Sequence, residues 1–198
     1  VSELFCWAMH TAEHAYCRAL PNYALRTAAG GCLVILASLL LHAAGQGWVY
    51  NGAGMGVITA AVEQGTTPSA LAFVLKIALT ALTLGAGYKG GEIVPTFFVG
   101  ATFGCVIGPL LGLAPGFAAA VGMAACFCGV ANCPLASILL SMELFGGQGM
   151  PLFALAVAVS FLCSGRCSLY TAQRLAVRKT NEPVNRNMKR TVEGMDDD

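Results

Sequence analysis

Charge is what this sequence has least of. Asp, Glu, Lys and Arg make up only 11% of its 198 residues, hydrophobic residues make up 57%, and the mean hydropathy is +0.70. Soluble domains carry about 25% charged residues, so the chain has less than half the usual complement. Between Arg26 and Arg166 the only charged residues are Glu63, Lys76, Lys89, Glu92 and Glu143. So few charges cannot cover a water-exposed surface. That excludes a soluble fold and indicates an integral membrane protein.

Other shortages narrow the reading. There is no basic patch on the body of the chain: six of the eleven basic residues, Arg174, Arg178, Lys179, Arg186, Lys189 and Arg190, crowd the C-terminal end. This argues against a nucleic-acid partner and, by the positive-inside rule, for a cytoplasmic C-terminus. The closing "EGMDDD" is acidic and polar and is expected to be disordered. A recognisable signal peptide is also lacking. "VSELFCWAMH" has no basic leader and does not begin with Met, so a fragment or a processed chain is expected. The nine cysteines are odd in number and lie mostly in apolar runs, which is a poor disulfide framework. "CFC" (126–128) and "CSGRC" (163–167) are compatible with a metal site, but small polarisable residues packing between helices are the preferred reading.

Long uninterrupted apolar runs are scarce as well. Residues 1–20 form an amphipathic stretch ending at "LPNY", and an apolar helix is expected over 25–44 with Gly45 as its stop. The Gly-rich stretch 46–69 is too short to span and holds one or two short helices at most. Further helices are expected from Ser69 to about Leu84, and then from Pro95, Pro115, Pro134 and Met150, with "SLYTAQRLAVRKT" closing the apolar part. Proline near a first helical position costs no hydrogen bond there. Most of these segments have 12 to 19 residues, below the roughly 20 that cross a bilayer upright. Tilted or partial helices follow, and irregular backbone at membrane depth is tolerated only where it is buried or lines a polar cavity. Short, Gly/Pro-interrupted segments are the best sequence pointer to a transporter ion site. Gly100, Ala101, Gly104 and Gly108 would let helix backbones approach closely. The fold class expected is an all-α polytopic membrane protein with tilted and broken helices.

Against that background, "GYKGGEIVPTFFVGATFG" (87–104) places a carboxylate, Glu92, among glycines just ahead of an apolar helix. Gly90 and Gly91 permit a tight, non-helical approach. Pro95 suits a first helical turn. The amides of Ile93 and Val94 are then orphan donors at a helix N-terminus, where the dipole favours an anion without any cationic side chain. Donors of this kind hold an anion weakly enough to release it, as conduction requires.

These residues carry a resemblance. "GGEIVPTFFVGATFG" resembles the GxFxP motif of the CLC family of chloride channels and proton-coupled anion transporters, with Gly91 and Pro95 on the motif's glycine and proline and Ile93 on its phenylalanine. "KIALTALTLGAG" is similar to the family's preceding helix, "GMAACFCGVANCPLASILLSMELFG" to its following segment, and "SLYTAQ" to its last membrane helix. The resemblance covers roughly residues 25–180 and matches the C-terminal half of a CLC protein. No "GSGIP"-like or "GxEGP"-like stretch of the N-terminal half occurs. It implies half of an inverted-repeat fold, preceded by an amphipathic helical segment (1–24) and followed by a polar cytoplasmic tail (181–198). It further implies a homodimer in a cell inner (plasma) membrane, with one anion pathway per subunit.

The resemblance assigns anion binding to Gly91, Ile93, Val94, Pro95 and the Tyr170 hydroxyl. A glutamate in the motif is similar to the fluoride-transporting branch, where it is implicated in proton coupling, so Glu92 becomes the proton-coupling acid. Fluoride holds its hydration tightly and needs strong donors at short range. A protonated Glu92 would donate a hydrogen bond, whereas its carboxylate would repel the anion, which links protonation to occupancy. The expected function is fluoride/proton antiport, with halide, protons and the lipid bilayer as partners, no cofactor and no enzymatic chemistry. A chloride channel or chloride/proton antiporter is the alternative in the same class, and a non-transporting, truncated membrane subunit is the alternative in another.

Plainer readings stand beside these. Glu92 would pair with Lys89 or sit exposed at a mouth; Tyr170 would be an interfacial aromatic; Glu143 would cap a neighbouring segment. Thr80 and Thr83 would line a pathway or bond back to their own helix. "HTAEH" (10–14) matches an H-x-x-E-H zinc pattern, but no distal acidic ligand accompanies it, so an interfacial helix end is preferred and no metal is expected.

Overall fold

In a computed structural model of the protein, residues 1–147 and 149–164 are described, and every regular element among them is a helix. The order is α1 (Ser2–Ala19), α2 (Tyr23–Ala43), α3 (Met55–Thr59) running into a wide turn at Ala60–Gln64, α4 (Ala72–Gly85), α5 (Ile93–Ile107) tightening at Gly108–Leu111, α6 (Pro115–Ala131), α7 (Pro134–Phe145) and α8 (Met150–Cys163). Tyr170, "SLYTAQ", the polar tail and most of "CSGRC" lie outside the described residues.

Three starts differ from expectation. α2 begins at Tyr23, two residues early, where the Asn22 side chain accepts the Ala24 amide at 3.3 Å. α4 begins at Ala72, because the Ser69 hydroxyl oxygen accepts the Leu71 amide (3.3 Å) and the Ser69 carbonyl accepts the Ala72 amide (3.1 Å), which holds residues 69–72 in a turn. α5 begins at Ile93, two residues before Pro95. The first turn of a helix has no internal use for its N–H groups, so the proline fits there unharmed.

α5 and α6 form the centre of the bundle, and small residues decide how close they come. A Cβ on Gly100 would fall 2.6 Å from the Gly122 carbonyl oxygen and 2.8 Å from the Met123 Cα. One on Gly122 would fall 2.9 Å from the Gly104 Cα, and one on Gly104 would meet the Ala118 carbonyl. The close approach expected of this glycine series is therefore present, and it is backbone against backbone.

α1 is built into the bundle. Phe5, Cys6 and Met9 are buried against Ile77 and Ala81 of α4, Val99 of α5, and Cys126 and Val130 of α6. The apolar stripe of α1 pins the "HTAEH" turn over the end of α4, where Ala12 and Glu13 lie against Gly85. Cys126 packs in this cluster, while Cys128 packs with Phe153 and Val157 on another side of α6.

Tyr23–Ala43 and Ile93–Leu111 are long and apolar enough to cross a membrane; α4, α6, α7 and α8 are shorter apolar helices. At 1.5 Å per residue α4 is about 21 Å long, short of a hydrocarbon core of about 30 Å. Leu33, Leu36 and Leu40 on α2, Leu135 and Leu139 on α7, and Leu155 and Leu162 on α8 face outward. Outer faces this apolar suit lipid or protein contact rather than water.

Candidate functional site at the start of α5

The connection between α4 and α5 is fixed by the first turns of α2. Gly87, at φ +98°, occupies backbone space that side chains disfavour, and its carbonyl accepts the Tyr23 hydroxyl at 3.0 Å. The Tyr88 hydroxyl donates to the Thr27 carbonyl at 3.0 Å. Arg26 lies over the Tyr23 ring at 5.4 Å. With both tyrosines engaged, the chain enters α5 in a defined direction.

Glu92 is the residue just before that helix. Its carbonyl accepts the amide of buried Thr96 (3.2 Å) and the Thr96 hydroxyl (2.8 Å), while its side chain caps nothing. The amides of Ile93 and Val94 have no acceptor among the described residues. The orphan donors expected from the sequence are thus in place. The suggested Glu92–Lys89 pair is not: the two share a cavity without an ion pair, and the charges acting on Glu92 are those of Glu13 and His10.

Two cavities flank this turn, and Leu84 and Gly90 border both. The first, of about 480 Å³, lies between α2, the 48–52 loop, α4 and the motif, and includes Gly91 and Pro95. Lys76 opens onto it at 2% exposure. Its ammonium donates to the carbonyls of Tyr50 (2.9 Å) and Gly52 (2.6 Å) and stands 5.0 Å over the Phe98 ring, with no carboxylate partner among the described residues. An ammonium has three donors, so one remains. Ser38, Asn51, Thr80 and Thr83 complete the polar lining. Thr80 and Thr83 also bond back to the carbonyls of Lys76 and Leu79, both at 2.7 Å, which is the helix back-bonding the sequence allowed. Lys76 was missed as a site residue. The available signal was a lone lysine in an otherwise apolar helix, where an ionisable group marks function by default.

The second cavity, of about 360 Å³, is lined by Met9, His10 and Glu13 of α1, by the end of α4, and by Tyr88, Lys89 and Glu92. Glu92 is half-buried. Burial pushes its carboxyl above the usual carboxylate range, the Glu13 charge pushes it further, and His10 pulls it back. Two members of "HTAEH" thus reach the motif, while His14 is exposed and takes no part. Among the described residues no group of three or more His, Cys, Asp or Glu is placed to hold a metal.

The remaining candidates divide. Ile93 is exposed beside the motif, and Val94 packs against the core. Glu143 is corrected: it is exposed on α7 with no hydrogen bond among the described residues, because a helix face turned outward gives it no segment to cap.

A helical membrane domain has here been broken at the start of α5, leaving free amides between a lysine-bearing and a carboxylate-bearing cavity. The chain belongs to the CLC family: the family described as voltage gated chloride channel matches residues 1–165. It is 39% identical over 183 residues to a chloride/fluoride channel protein of Pseudomonas syringae pv. tomato, a match covering 91% of this chain and 40% of that protein. It is 29% identical over 152 residues to the voltage-gated ClC-type chloride channel ClcB of Citrobacter koseri, covering 72% and 35% respectively. Among solved structures it is similar to a CLC-type fluoride/proton antiporter, with TM-score 0.81 and 30% identity, over 87% of this chain and 42% of that one. The chain therefore spans well under half the length of these relatives.

Proposed function

We propose that this chain supplies one side of a proton-coupled anion pathway, with fluoride as the anion and Glu92 as the coupling acid. One observation carries the reading: a half-buried carboxyl stands directly ahead of two free helix-start amides, Ile93 and Val94. The amides attract what the carboxylate repels. Only protonation removes the conflict, so anion occupancy and a bound proton favour one another.

Fluoride is small and hard, and losing its hydration is offset only by strong donors at short range. The amides, the neutral Glu92 hydroxyl and the Tyr170 hydroxyl are donors of that kind, and the Lys76 charge across Pro95 raises the local anion concentration. Fluoride is the ion common to two of the relatives, a chloride/fluoride channel protein and a fluoride/proton antiporter. The transporter works as a homodimer in the plasma membrane with its C-terminus in the cytoplasm, and its chemistry is transport rather than catalysis.

The test is Glu92→Gln in protein purified from its own membrane and reconstituted into liposomes. Fluoride movement is expected to continue while the accompanying proton movement is lost. An unchanged proton-to-fluoride ratio would sink the assignment. Selective chloride efflux by the parent would move the protein to the chloride branch, and absence of any anion flux would make it a non-transporting subunit.

A further inference from the structure

We propose that His10 and Glu13 on α1 carry protons between solvent and Glu92, so that the cavity under α1 is the proton's route to the motif; this rests on the reading of Glu92 as the coupling acid. Three features point the same way. The groups are graded in depth within one cavity: Glu13 is exposed, while His10 and Glu92 are half-buried. Its volume of about 360 Å³ accommodates several waters, each filling about 30 Å³ in the liquid. The His10 Nε2 atom is buried and has no hydrogen-bond partner. Leaving a buried polar atom unpaired is costly, and a water chain toward Glu92 would satisfy it.

The other titratable groups facing this cavity are Tyr88 and Lys89 of the connection. α4 contributes only Leu84 and Gly85, since its Lys76 opens onto the neighbouring cavity. The transfer is balanced and involves no redox change. An O–H bond on Glu13, or an N–H bond on the His10 imidazolium, breaks as a water chain passes a proton on. An O–H bond forms on the Glu92 carboxylate, and the donor is reprotonated from solvent. With Leu84 and Gly90 standing between the cavities, protons arrive on the α1 side and anions on the Lys76 side.

The experiment compares parent protein, His10→Gln/Glu13→Gln, Glu13→Gln and Glu13→Asp in liposomes, with fluoride and proton fluxes recorded together across pH. The double variant is expected to slow both fluxes by about a hundredfold or more, the low end of what a positioned proton donor or acceptor contributes. Their ratio should be unchanged, and the deficit should deepen as pH rises and free protons become scarce. Added imidazole should restore flux, and Glu13→Asp should retain more flux than Glu13→Gln. A merely structural role would respond to neither pH nor imidazole. Fluxes within about twofold of the parent at every pH, or a loss that imidazole does not relieve, would overturn the proposal. Glu92→Gln run in parallel separates the failures. If it uncouples while the double variant behaves as the parent, only the α1 route is wrong; if it leaves the ratio unchanged, the reading of Glu92 falls first.

Discussion

Gly104→Val is expected to abolish the well-folded protein, leaving little or no monodisperse material in detergent and no measurable anion flux. The position has no room that side-chain motion can open. A Cβ there would strike the Ala118 carbonyl group and lie 3.1 Å from the Ala119 Cα, all of it backbone of α6. Overpacking a core costs about 1–3 kcal/mol where side chains can yield, and more is expected where two helices must part. Gly100 and Gly104 of α5 are buried against α6, and Gly122 of α6 lies against both, so separating the two helices opens the centre of the bundle. It also displaces the start of α5, where the Ile93 and Val94 amides lie. Gly56→Ala is the control, because a Cβ on Gly56 meets nothing within 4 Å. Normal yield and unchanged melting of Gly104→Val, measured by size exclusion and thermal unfolding, would show the α5–α6 contact to be looser than described.

Lys76→Met should produce the next largest effect. Methionine has nearly the same length and fills the same space but donates nothing. The Tyr50 and Gly52 carbonyls each lose a charge-assisted hydrogen bond, and the Phe98 ring loses its cation. An orphaned buried group costs about 1–3 kcal/mol, so a loss of about 3 kcal/mol is expected after partial rehydration of the Gly52 side. For a chain of this size that corresponds to about 6–12 °C in Tm. The 48–52 loop should loosen most, which hydrogen exchange at Tyr50 and Asn51 would report. Lys76→Arg should retain part of the stability, because a guanidinium can still donate to both carbonyls. A methionine variant with unchanged Tm would mean that the ammonium is not holding the loop.

The two predictions concern different levels of legibility. The glycine series was readable as a close helix contact, because residues three and four apart on a helix share a face whatever they pack against. The starts of α6 and α7 at Pro115 and Pro134 were readable for a similar reason, since proline has a local preference for the first turn. The start of α4 was not, because Ser69 competes for the backbone through a side-chain contact that propensity does not weigh. Lys76 was visible only as a charge in an apolar run. Its partners, Tyr50 and Gly52, lie two elements earlier in the chain.

What the sequence determined by itself is the class of molecule and the site's core. Scarce charge, interrupted apolar segments and the run Gly90 to Pro95 require a broken-helix membrane protein with free amides at the start of α5. These properties are local: they follow from composition, helical period and backbone geometry within a few residues. Tertiary structure alone decided the neighbourhood of Glu92. It set aside Lys89, three residues away, and brought Glu13 and His10 from α1 into the same cavity. The physical reason is that α1 is steered by Phe5, Cys6 and Met9 burying themselves against α4, α5 and α6. Apolar burial is non-directional, and nothing in its pattern announces which polar residues it will carry along on the adjacent face.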